Sequence, residues 1–262
     1  MIKNTVVIYH KGCTDGFASA YAAWLKFGGS SVYIPMTYGD TPPEITGKDV
    51  YILDFSFSRA IMIEMSVKAN SVTIIDHHKT AQSDIEDLIN DARFNIDGVF
   101  DMTKSGCVLA WEWFHDKADM PRMLLHIQDY DLWQHRLPNT REIVEGLRSH
   151  SMNFFEWDGL ILTHDTLHQS TESIKDLARV GTIILRANLI QCHALAKVAH
   201  MGKISDIEVP IVNAPHFLAS EVGNILCAGQ KFSAVYYYEG SKKFFSLRSD
   251  KHGMDVAEIA KQ

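Results

Sequence analysis

The chain has no C-x-x-C pair, no low-complexity tract, no internal repeat and no apolar run of membrane-spanning length. Its four cysteines (Cys13, Cys107, Cys192 and Cys227) are scattered, which excludes a zinc ribbon or a disulfide scaffold and makes a reducing, cytoplasmic setting the expectation. Residues 1–9 are too short for a signal-peptide core and read as a first buried strand, and no membrane partner is expected. Positive charge is also in short supply. Lys and Arg number 25 against 32 Asp and Glu, a net charge of -7. That balance argues against a surface that coats long duplex nucleic acid, which draws on many cationic contacts to phosphate. A short phosphorylated substrate remains compatible, because a local metal centre overrides an unfavourable overall charge.

With 262 residues and 46% hydrophobic content, the chain holds enough apolar material for one large domain or two smaller ones. Three β-branched runs, 5–9, 49–53 and 71–75, each end in a polar or ionisable cluster, as buried parallel strands do. Helical patterns lie between them at 16–27 and at 58–69, the latter opened by Ser58 as a cap. The alternation predicts an α/β fold with a doubly wound, mainly parallel sheet over residues 1–165. Residues 104–150 read as mostly helical, with Trp111, Trp113 and Phe114 as core. A helical linker is expected over 166–201, from the periodic stretch 171–200. A smaller α/β domain follows over 202–262, with strands at 208–213, 232–238 and 242–248, a helix at 219–228 and a Glu239-Gly240-Ser241 hairpin turn. In a doubly wound sheet, functional groups gather beyond the carboxyl ends of the strands, and His10, Asp54 and Asp76 all stand there.

Four clusters carry ligand-type residues. The segment from His10 to Gly16 reads either as a plain strand-to-helix turn or as a place where phosphate or metal approaches the backbone. Asp54 ends a buried strand and reads as a cap, a loop carboxylate or a ligand. Asp76-His77-His78 joins a carboxylate to two imidazoles, a donor set suited to Mn, Zn or Fe. Asp129 and Asp131 follow the apolar segment 123–127, as ligands or as a solvated helix end beside Trp133. Lys104 and Ser105 precede a helix start and read either as phosphate binders or as surface charge and cap. His164 and His168, without a carboxylate partner, read as surface residues, and Cys107, Cys192 and Cys227 as buried small hydrophobes.

Taken in order, Tyr9-His10-Lys11-Gly12-Cys13-Thr14-Asp15-Gly16-Phe17, Tyr51-Ile52-Leu53-Asp54-Phe55-Ser56-Phe57, Ile74-Ile75-Asp76-His77-His78-Lys79-Thr80 and Asp129-Tyr130-Asp131-Leu132-Trp133 resemble the four motifs of the DHH phosphoesterases. The first motif is most similar to that of the nanoRNases (oligoribonucleases) and exopolyphosphatase-like members. The resemblance implies two Mn(II) ions, with Mg(II) or Co(II) as substitutes. His10 and Asp54 would hold one; Asp15, Asp54, His77 and Asp129 would hold the other. Asp76 would orient the site and His78 would meet the substrate phosphate or the bridging water. Many members carry Asp where this chain has Cys13, a softer ligand or a gap filled by water. The sequence ends at Gln262, just before the place of a glycine-rich Gly-Gly-His motif, so a shortened DHH-associated domain with a weaker substrate grip is expected.

The resemblance thus implies two-metal hydrolysis of short oligonucleotides or small nucleotide phosphodiesters, with Asp54, Asp76 and His78 at the chemistry. Arg248 from the C-terminal domain, with His78, would contact phosphate, and Tyr130, Trp133 or Phe245 would stack on a base. A polyphosphatase or pyrophosphatase and a non-catalytic nucleotide-binding regulator are the alternatives. Whether the protein forms a homodimer stays open.

Overall fold

Strands that are apolar on both faces need helices above and below them, and that requirement organises the N-terminal half of the chain. The computed structural model describes residues 4–115, 120–161, 169–250 and 252–260; His164 and His168 lie outside them. Two compact units emerge, Met1–Gly181 and Thr182–Gln262, so the division falls inside the stretch expected to be a linker.

The first unit runs β1 (Thr5–His10), α1 (Thr14–Phe27), β2 (Ser31–Met36), β3 (Asp49–Leu53), α2 (Arg59–Lys68), β4 (Ser71–Asp76), α3 (Lys79–Ile85) and β5 (Ile96–Phe100). Four helices follow: α4 (Gly106–Phe114), α5 (Arg122–Asp131), α6 (Thr140–Arg148) and α7 (Phe154–Ile161). All five strands are parallel, in the order β2-β1-β3-β4-β5. β2 and β3 flank β1 on opposite sides, so the winding reverses there and a crevice opens beyond the carboxyl ends of β1 and β3. Alternation along the strands feeds two cores. Val7, Tyr9, Leu53 and Ile75 pack with α1 and α4 to α7, whereas Val6, Ile8, Val50, Ile52 and Ile74 pack with Met62 and Met65 of α2.

α8 (Gln169–Ala196) leads into the second unit, which contains β6 (His200–Ile204), β7 (Ile207–Asn213), α9 (Ala219–Cys227), β8 (Ser233–Glu239), β9 (Lys242–Arg248) and the short α10 (Val256–Ile259). Its sheet has the order β6-β7-β8-β9, with β7 and β8 parallel across α9 and the outer pairs antiparallel. Gly240, at φ 59°, makes the β8–β9 turn. Among the described residues no helix is long and apolar enough to cross a membrane.

Some local readings change. β2, β5 and β6, which the apolar pattern did not mark, each lie at a sheet edge. Trp111 and Phe114 are buried, but Trp113 is 40% exposed because two residues along a helix turn a side chain to the opposite face. Ser58 holds the N-cap position of α2 without a side-chain bond; the Arg59 amide donates instead to Asp84 Oδ2 at 2.9 Å.

α6 and the first part of α8 approach backbone to backbone. A methyl group at Gly146 would collide with the Leu177 carbonyl, and one at Gly181 with the Glu142 carbonyl. We expect Gly146→Ala to destabilise the first unit by about 1–3 kcal/mol through forced separation, outweighing about 1 kcal/mol of gained helix propensity. Thermal unfolding measures this; a midpoint at or above wild type would show that the two helices part without cost.

Candidate metal centre

β3 stops at Leu53 and the chain turns sharply at Asp54, whose φ of 52° is left-handed. Asp tolerates that conformation better than most residues. Its amide still donates to the Ile75 carbonyl at 2.9 Å, which pins the turn to β4. The side chain is only 1% exposed. Its Oδ1 lies 3.1 Å from His77 Nε2, while Oδ2 has no hydrogen-bond partner among the described residues, His10 Nδ1 standing 3.7 Å away. An orphaned oxygen on a buried carboxylate is costly unless something cationic completes it.

Three carboxylates ring His77 Nε2: Asp54 Oδ1 at 3.1 Å, Asp131 Oδ2 at 3.6 Å and Asp15 Oδ2 at 3.7 Å. Asp15, in the first turn of α1, is held by the start of α4, where the amides of Gly106 and Cys107 donate to its two oxygens at 2.7 and 3.0 Å. The positive end of that helix therefore faces a buried acid. Gly106 is required there, since a Cβ would stand 2.6 Å from Asp54 Cβ. On the other side, His10, Cys13 and Asp54 bring one donor each within 4.8 Å of one another. Asp54 belongs both to this group and to one with Asp76, His77 and His78, and it meets the group of Asp15, His77 and Asp131 through His77.

Asp76 is fully buried and serves its neighbours. Its Oδ1 accepts from the amides of His77 and His78 at 2.7 and 3.3 Å and faces His78 Nδ1 at 2.7 Å; its Oδ2 accepts from Ser56 Oγ at 2.9 Å. These bonds fix the orientation of both histidines.

The donor set fits divalent ions. Metal bonds of about 2.1 Å at right angles put neighbouring donors about 3 Å apart, close to the 3.1–3.7 Å spacing about His77. Electrostatics agree. Burial and the charges of Asp54 and Asp131 push the Asp15 carboxyl far above the usual range. Burial also raises Asp131, with Asp54 adding to it. Burial opposes the charged form of His77, but the bond to Asp54 and the charges of Asp15 and Asp131 overcome it and raise its pKa. Asp54 is pulled low: burial works against its charge, and His10 and His77 outweigh burial.

Of the residues singled out by the motifs, His10, Cys13, Asp15, Asp54 and His77 converge here. Asp129 does not. Its carboxylate accepts from the amides of Arg136 and Leu137 at 2.8 and 3.0 Å and from Thr140 Oγ1 at 2.6 Å, fastening the loop between α5 and α6. The acid brought to His77 is Asp131, two residues on. In helix phase Asp131 aligns with Leu124 and Ile127, whereas Asp129, itself buried, aligns with His126. Lys104 and Ser105 are likewise engaged. Lys104 pairs with Glu112 at 2.7 Å, the Ser105 amide donates to Gln128 Oε1 at 3.1 Å, and the free amides of the α4 start serve Asp15. Arg248 lies in the second unit, where it donates to Ser220 Oγ at 2.7 Å. Ser56 and the Gly106 and Cys107 amides escaped the sequence reading, as hydroxyl and backbone donors carry no distinctive residue signature.

No family model matches the chain. Over 283 residues it is 29% identical to the uncharacterized protein R106 of Acanthamoeba polyphaga mimivirus, an alignment covering 98% of this chain and 64% of that one. The chain therefore spans a little under two thirds of that relative. Among solved structures it is similar to the DHH domain of PF0399, a member of the s1p family of ribosomal proteins. The TM-score is 0.57 at 10% identity, over 94% of this chain and 74% of the other. The fold is DHH-like. At the carboxyl ends of its parallel strands stands a buried Asp/His cluster able to hold metal ions.

Two measurements test these assignments. Asp131→Asn is expected to weaken Mn(II) binding about tenfold or more with little change in stability. Asp129→Asn should do the reverse, costing about 1–3 kcal/mol; the opposite pattern in calorimetry and thermal unfolding would return Asp129 to the centre. Burial raises the Asp129 carboxyl, but its three hydrogen bonds outweigh that and hold it below the usual range. Its contribution is therefore present above about pH 4 and lost as pH falls further. Because Asp15 and His77 both hold protons more tightly than usual, metal must displace them. Mn(II) affinity should rise from about pH 6 to about pH 8 with net proton release, read by titration calorimetry in buffers of different ionisation enthalpy; a pH-independent affinity contradicts it.

Proposed function

We propose that this chain is a divalent-metal-dependent phosphoesterase that hydrolyses short oligonucleotides or related small nucleotide phosphodiesters. The observation that carries the reading is the Asp54 carboxylate, buried at the reversal point of the sheet, partnered on one oxygen and orphaned on the other between two donor clusters. His10, Cys13 and Asp54 would hold one ion, and Asp15, Asp54, His77 and Asp131 the other. Carboxylate and imidazole donors suit Mn(II), with Mg(II) or Co(II) as substitutes. When bound, two such ions supply positive charge to the nonbridging oxygens and lower the pKa of an attacking water.

The protein's own groups supply orientation and proton control. His78 is half-buried and its Nδ1 is fixed by Asp76, leaving Nε2 to face a substrate oxygen. The bond to Asp76 outweighs burial and raises its pKa, and a protonated ring would donate from Nε2 to phosphate. Stacking surfaces lie nearby. The ring of Tyr38 is 5.7 Å from His10, and Tyr130 and Trp133 stack at 6.3 Å on the segment that carries Asp131. A base held against such a ring is the expected ground for selecting nucleotides over polyphosphate.

The decisive assay is turnover of a labelled dinucleotide with Mn(II). Asp54→Ala, checked for native circular dichroism, should lower kcat/KM by about a thousandfold or more. Wild-type protein that binds Mn(II) yet turns over no phosphoester would sink the proposal, and exclusive cleavage of polyphosphate would move the substrate to phosphoanhydrides.

A further inference from the structure

The thiol of Cys13 is set apart from the other three. Cys107, Cys192 and Cys227 are buried, and Cys107 and Cys192 belong to the apolar cores, whereas Cys13 is half-buried and belongs to none of them. It follows His10 by three residues, and the chain between them turns at Gly12, whose φ of 71° is left-handed. The His10 ring is held between Tyr38 and Phe55, at centroid distances of 5.7 and 6.2 Å. Its Nδ1 lies 3.7 Å from Asp54 Oδ2, the buried oxygen without a hydrogen-bond partner among the described residues. One donor each from His10, Cys13 and Asp54 lie within 4.8 Å of one another, so a thiol, an imidazole and a buried carboxylate face one point. The group about His77 has a different character, three carboxylates and an imidazole with no sulfur.

We propose that the two donor groups select different ions: the group of His10, Cys13 and Asp54 takes a thiophilic dication of the Zn(II) class, and the carboxylate-rich group takes Mn(II). This goes beyond the phosphoesterase reading, in which both ions are of one kind, and it rests on the metal centre alone. Thiolate sulfur favours Zn(II) over Mn(II), and the general order of affinities for nitrogen, oxygen and sulfur sites runs the same way. Oxygen-rich donor sets suit Mn(II) instead. One sulfur, one nitrogen and one oxygen leave a tetrahedral ion a single open position, the arrangement that reactive zinc sites keep and structural ones close. Without the sulfur, His10 and Asp54 supply two protein donors, too few for such a site. As the sulfur–metal bond forms, the thiol proton leaves to solvent.

Co(II) is the probe, because a cobalt–thiolate bond gives a near-ultraviolet charge-transfer band that nitrogen and oxygen donors do not. In wild type we expect the band to grow as Co(II) is added, to vanish on adding Zn(II), and to survive an about tenfold excess of Mn(II). C13S should bind Co(II) without the band and lower Zn(II) affinity about 100-fold. Its Mn(II) binding, followed by electron paramagnetic resonance, should change little, which reports that the fold and the carboxylate group are intact. C13D exchanges sulfur for a hard oxygen. After dialysis against equal concentrations of both ions, it should retain a Zn(II)-to-Mn(II) ratio about tenfold or more below that of wild type. A wild type without the band, a band displaced by Mn(II) or surviving in C13S, or the same retained ratio in wild type and C13D overturns the proposal; the first two need no variant to fold. Turnover enters none of these readouts. Wild type that binds Mn(II) but gives no cobalt–thiolate band overturns this proposal alone, and wild type that gives the band but cleaves no phosphoester overturns the phosphoesterase reading alone.

Discussion

Negative charge packed at the ends of buried strands is the constraint on which the rest of the first unit depends. Asp15 in the first turn of α1, Asp54 just after β3 and Asp76 at the end of β4 are each 1% exposed or less. Taking an ionised carboxylate out of water costs several kcal/mol even after relaxation, so each must be answered locally. Asp76 is answered by two amides, an imidazole and a hydroxyl. Asp15 is answered by the α4 start. Asp54 is answered on one side only, by His77, and its other oxygen is left for a cation. The placement of α4, the glycine at its first turn and the left-handed backbone at residue 54 all follow from making that arrangement fit.

The central architecture was legible in the residues because burial leaves a strong mark. β1, β3 and β4 are apolar on both faces, so their sequences are continuous runs that end where the chemistry begins. The strands that were not legible, β2, β5 and β6, are edges. β2 carries Pro35, which an edge strand accommodates, and β5 carries Gly98 packed against the Ile74 backbone. Edge strands need only part of their length to be apolar, and their identity comes from the neighbour they pair with, which no local window contains.

The candidate site was legible in composition and less so in direction. The motifs brought His10, Cys13, Asp15, Asp54 and His77 into one reading, and the structure clusters all five. Where two acids stood two apart on one helix, residue type could not separate them; rotation did. Asp131 lies in phase with Leu124 and Ile127 and reaches His77, while the buried Asp129 turns toward the next loop.

The backbone at residue 54 carries a further implication. Asparagine shares with aspartate an ease in the left-handed region, and it matches the side chain in size, so exchanging one oxygen for an amide nitrogen would leave the turn after β3 and its bond to Ile75 in place. In this fold, the capacity to hold a cation and the architecture are therefore separable at a single atom, and residue 54 is where the donor set could change without any visible change of shape.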